Sequence, residues 1–119
     1  MEARELRLGN LLDVDGIVYK VVQIANDGVI VEPITEYGHL IDYERKGEMK
    51  PIQLNEYWLD LLGFELVIED GLRFWKITAN GRTFKSLESI LFTWEKYVHN
   101  LQNAVFASLQ YELEMKNPA

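Results

Sequence analysis

The sequence predicts an α+β chain in which two antiparallel β-meanders alternate with two helices. Three observations carry this. Glycine turn signals at Asp15-Gly16, Asn26-Asp27-Gly28, Asp70-Gly71 and Asn80-Gly81 sit between short β-branched or aromatic runs, and such residues accept the positive φ of a tight hairpin turn. Residues 56–62 and 97–113 change to apolar spacing with a 3.6-residue period. The composition, 48% hydrophobic and 26% charged over 119 residues, is that of an ordinary globular chain. It suffices for one domain or two tightly packed subdomains.

Taken in order, Asn10–Val14, Ile17–Ile24 and Val29–Glu32 read as three strands of the first meander. Ile17–Ile24 is apolar on both faces apart from Lys20 and Gln23, which predicts a central strand covered on both sides. His39–Glu44 alternates enough for a strand, Arg45–Glu48 reads as a polar turn, and Ile52–Leu54 after Pro51 is placed to close the set. Four or five short strands around a Val/Ile core fit an SH3-like barrel or an open meander. Residues 1–54 are therefore expected as an SH3-like β subdomain, and residues 55–119 as a helix–β-meander–helix subdomain.

Asn55 is positioned to cap a short helix over Glu56–Leu62, and Gly63 to stop it. Phe64–Glu69, Leu72–Thr78, Arg82–Ser86 and Ser89–Trp94 read as strands of the second sheet. Tyr97–Leu113, YVHNLQNAVFASLQYEL, reads as one long helix, apolar around most of its circumference. Val98, Leu101, Val105 and Leu109 form its main stripe, and Ala104, Ala107 and Tyr111 a second, smaller face. His99, Asn103 and Gln110 make a polar strip, on which His99 is expected to be partly exposed. Gln102 falls inside the main stripe. A buried amide there must bond either backbone groups at a sheet edge or a partner at a contact whose register it sets.

Charge and composition exclude several classes. Net charge is −7, with six Lys/Arg against ten Asp/Glu in residues 1–50 and six against nine in the remainder. No basic half hides within the acidic total, which disfavours nucleic-acid binding by phosphate neutralisation. Without Cys, disulfides, thiolate metal sites and a Cys nucleophile are excluded. The first residues, MEARELRLGN, lack the apolar core of a secretory signal, and no apolar run approaches a membrane span. A cytoplasmic protein without membrane contact is expected.

Chemistry is sparse. His39 and His99 are the two histidines, and neither stands in ligand-like spacing. Most carboxylates sit in turns or near helix ends, where they serve turn geometry and the helix dipole. Phosphate-binding glycine loops and nucleophile-elbow motifs are missing. The expectation is a chain with no catalytic, metal or cofactor-binding residues, and so not an enzyme. Aromatic residues remain: Phe74, Trp75, Phe84, Phe92 and Trp94 all fall on the expected second sheet. The strand from Leu72 carries aromatics on both faces, so one face needs cover from the final helix, a second subunit or a ligand. The candidate interaction residues are Trp75, His99, Gln102, Asn103 and Tyr111.

The blocks RELRLGN (residues 4–10), KPIQLNEYWLDLLGF (residues 50–64) and YVHNLQN (residues 97–103) make the chain similar to a family of small proteins of Bacteroides-type bacteria. That family is often carried in prophage or other mobile regions. The resemblance covers most of the chain and departs after Asn103, where the family's aromatic-rich ending with a glycine is replaced by AVFASLQYEL. It implies no assigned activity and no catalytic residues. With the acidic charge and the aromatic surplus, it suggests a small interaction protein of phage or mobile-element type that binds another protein. Self-association through the final helix is a further expectation. The alternative is a nucleic-acid-associated SH3-like module.

Overall fold

A computed structural model describes residues 6–14, 16–25, 28–34 and 49–115. The chain is α+β and divides into two compact units, residues 1–52 and residues 53–119.

The first unit is an antiparallel sheet of β1 (Leu11–Val14), β2 (Ile17–Ala25), β3 (Gly28–Pro33) and β4 (Met49–Lys50), in the order β3-β2-β1-β4. Val14 pairs with Ile17 across the expected Asp-Gly turn. There the Asp13 side chain accepts the Gly16 amide at 2.7 Å, and Gly16 takes φ +83°. One side of the sheet buries Leu12, Val14, Tyr19, Val21, Val29 and Val31 together with Leu6. β2 is central, but Val22 and Ile24 are exposed, so it is not covered on both sides. The β2–β3 register also shifts between Val21 and Gln23, the mark of a β-bulge next to the exposed end of the strand.

The described strands form an open sheet with β3 and β4 at its edges, rather than a closed barrel. The expected closing strand, Ile52–Leu54, does not join it; β4 lies just upstream and pairs with Asp13 and Val14 of β1. The expected strand His39–Glu44, the turn Arg45–Glu48 and the turn residues Asp15, Asn26 and Asp27 lie outside the described residues.

The second unit contains α1 (Glu56–Leu61), a three-stranded sheet of β5 (Glu65–Glu69), β6 (Leu72–Ala79) and β7 (Arg82–Leu87), then α2 (Glu88–Trp94) and α3 (Val98–Leu109). Both hairpins close as their turn residues demand. Asp70 and Asn80 take φ +52° and +55°, and each is followed by a glycine at positive φ, the pattern of a two-residue type I′ turn. Asn55 caps α1 by accepting the Trp58 amide at 3.0 Å. At the other end Gly63 N–H donates to the Asp60 carbonyl and Phe64 N–H to that of Leu59, which is the Schellman pattern with Gly63 at φ +94°. The core gathers Trp58, Leu59, Leu62, Phe64, Trp75, Ile77, Leu91, Val98, Leu101, Val105, Leu109 and Leu113.

Two elements differ from the sequence reading. Ser89–Trp94 is helical, not a strand. Leu91 alone of this segment is buried, whereas Ile90 and Trp94, one turn apart, share an exposed face. The final helix is also shorter than its apolar pattern predicts. It stops at Leu109, because Gln110 adopts the left-handed conformation (φ +56°). Asn80, in the β6–β7 turn, donates its amide to the carbonyls of Leu109 and Gln110, capping the helix end. Leu113 is buried as part of a non-helical tail rather than as another helical turn.

Candidate interaction surface

The geometry starts from a short backbone pairing. Gln53 bridges Tyr97 in antiparallel fashion, and the Leu54 amide donates to the Lys96 carbonyl at 2.9 Å. This pairing brings the approach to α1 beside the approach to α3. Between them lies a groove of ≈ 690 Å³, bounded by residues 53–56 on one side and by Phe92, Lys96 and Tyr97 on the other. Tyr97 is fixed from below: its ring stacks on His99 with centroids 5.9 Å apart and planes 3° from parallel. Next to the groove in the chain, Trp94 closes α2 with 77% of its surface exposed, the largest value among the exposed large hydrophobic side chains. Ile90 extends the same face of α2.

A polar network anchors α2 to the sheet. Glu88, in the first turn of α2, accepts from Arg73 Nε at 3.1 Å through both oxygens and from Trp75 Nε1 at 2.8 Å. Arg73 also donates to Glu56 at 2.6 Å. The hydrogen bond Arg73 donates to Glu88, offset in part by desolvation and joined by the charges of both glutamates, raises the Arg73 pKa further and keeps it cationic. Glu95, in the link between α2 and α3, has its carboxyl pKa raised by burial.

The five candidate residues do not converge on one surface. Trp75 is 6% exposed and belongs to the core, its indole N–H satisfied by Glu88. His99, expected to be partly exposed, is buried beneath Tyr97. Gln102 is fully buried and donates to the Leu113 carbonyl at 3.0 Å, which holds the tail across the helix. Asn103 is half-buried and Tyr111 exposed. On the second apolar face of α3, Ala104 is half-buried while Ala107 is open.

The sequence places Trp94 on a strand of the second sheet and not among the candidate residues; its exposure follows from the helical geometry of α2. The usable signal is the i, i+4 spacing of Ile90 and Trp94 behind Glu88, which favours a first helical turn.

The three blocks behind the family resemblance have structural work of their own. Asn10 accepts the Arg7 amide at 2.6 Å through its side chain and returns its own amide to the Arg7 carbonyl at 3.1 Å. Gly9 supplies φ +90° within that turn. In the middle block Asn55, Trp58, Leu59 and Gly63 cap and bury α1. In the last block His99 supports Tyr97, and Gln102 fixes the tail.

Among the described residues no three His, Asp or Glu side chains are grouped as metal ligands, and no helix is long and apolar enough to cross a membrane. No protein family, curated protein or solved structure matches the chain.

Proposed function

We propose that the chain is a small non-catalytic interaction protein, of phage or mobile-element type, that binds another protein through the aromatic surface at the α2–α3 junction. The observation that carries this is Trp94. A tryptophan with 77% of its surface in water, two positions after Phe92, which with Tyr97 walls the groove, is costly to leave open and is the residue type most enriched at binding hot spots. The support is rigid: Glu88 ties α2 to β6, and His99 holds the Tyr97 ring. A preformed aromatic anchor loses little entropy on binding.

The family resemblance, the cytoplasmic setting and the SH3-like reading of the first unit belong to the same proposal. The last rests on short strands around a valine-rich face. A homomeric version would use the open Ala107 of α3 together with Tyr111, which lies in the tail beyond the helix rather than on its face.

Affinity capture from lysate of a Bacteroides-type host, with wild type and Trp94→Ala side by side, tests the reading. A protein retained by the wild type and lost from an equally folded Trp94→Ala chain supports it. Equal recovery of every retained protein by the two chains rejects it.

A further inference from the structure

We propose that the outer edge of β5, unpaired among the described residues, is a second binding site, which takes up an extended polypeptide segment carrying two basic residues four positions apart. The inference does not rest on the aromatic groove.

The argument begins with register. Glu69 pairs with Leu72 across the two-residue Asp70-Gly71 turn. That pair is hydrogen-bonded in such a hairpin, and hydrogen-bonded pairs alternate along an antiparallel ladder. Glu65, Val67 and Glu69 therefore direct their backbone groups to β6. Leu66 and Ile68 direct theirs outward, and β5 has no strand on that side among the described residues. Edge strands of this kind template the addition of another strand.

Side chains select what can be added. Ile68 is 63% exposed and Leu66 half-buried on one face of the strand. On the other face Glu65 and Glu69 flank Val67, with side chains 72% and 51% exposed. Glu65 meets Lys76 only at 3.9 Å, and Glu69 meets Lys85 at 2.8 Å. A second copy is a poor occupant. Antiparallel pairing of two β5 strands about Val67 would set Glu65 of one against Glu69 of the other at both ends, and like charges directly opposite destabilise a sheet. A strand with Lys or Arg opposite Glu65 and Glu69, and small apolar side chains opposite Leu66 and Ile68, satisfies every position.

The probe is a labelled peptide, acetyl-Gly-Lys-Val-Thr-Val-Lys-Gly-amide, titrated into the full chain at low salt. Backbone amide shifts are read by NMR and affinity by anisotropy. The expected result is shifts centred on Leu66–Ile68 and binding that weakens as salt rises. Reversal at both glutamates (Glu65→Lys with Glu69→Lys) should weaken binding by about tenfold and favour the matching peptide with Glu in place of Lys. Ile68→Pro removes an outward N–H without breaking a ladder bond, so it should fold and fail to bind either peptide. Trp94→Ala should bind as wild type. No shift along β5, indifference to charge reversal, or undiminished binding by Ile68→Pro would each overturn the proposal.

Discussion

Trp75 and Trp94 stand nineteen positions apart and are treated oppositely by the fold. Trp75, on the inner face of β6, is nearly excluded from water, and its one polar atom is bonded to Glu88. Trp94, at the end of the helix that Glu88 begins, is almost entirely in water. The same carboxylate explains both: by accepting from Trp75 and Arg73 it fixes where α2 starts, and the helical period then decides which side chains face outward. Leu91 turns in; Ile90 and Trp94 turn out. Aromatic content alone does not distinguish a core residue from an exposed one. The hydrogen-bonded start of the helix does.

The largest expected effect lies on the buried side of this contrast. Trp75→Ala should cost about 3–5 kcal/mol, the range for emptying a large aromatic site, and chemical denaturation will read it as a lowered midpoint. A loss below about 1 kcal/mol would mean that the β6 face is not the core described. Next is Gln102→Leu, which deprives the buried Leu113 carbonyl of its donor. Removing one partner of a buried hydrogen bond costs about 1–3 kcal/mol. Amide exchange should show residues 111–115 losing protection before α3 does. If the tail is unaffected, Gln102 is not what holds it.

The smallest effect belongs to Glu95, beside Trp94. Burial disfavours its carboxylate, so its folded pKa lies above the unfolded value of 4.5. The native state then holds more proton than the unfolded state, and stability falls as pH rises from 4.5 through the folded pKa. Glu95→Gln should therefore be slightly more stable than wild type at pH 7, by about 1 °C in Tm given its partial exposure. The gap should close below pH 4.5. A variant less stable than wild type at pH 7 would contradict the sign.

Much of the fold is legible in the sequence where turn chemistry and capping decide it. The Asp-Gly and Asn-Gly pairs fix both hairpins of the second sheet to within a residue, and Asn55 and Gly63 bound α1 as their positions suggest. Legibility fails where a distant partner decides. The final helix reads as continuing to Leu113, since its apolar pattern does continue; it ends at Leu109, where Asn80, some thirty residues upstream, caps it. The tail keeps Leu113 buried without helical geometry. Gln102 reads as a buried amide in need of partners, and the Leu113 carbonyl is one. The candidate site was the least legible part. Exposure of Trp94 depends on α2 being a helix, and a run of six residues such as SILFTW fits a strand as well by pattern alone.

The most direct test of the central claim is acrylamide quenching of tryptophan fluorescence, in the free protein and then with a captured partner. The chain has three tryptophans, of which Trp58 and Trp75 are buried. The account predicts one readily quenched component in the free protein, absent from Trp94→Phe, which becomes protected when the partner binds. A quenchable component that persists unchanged in the complex would contradict the assignment of this surface as the site of binding.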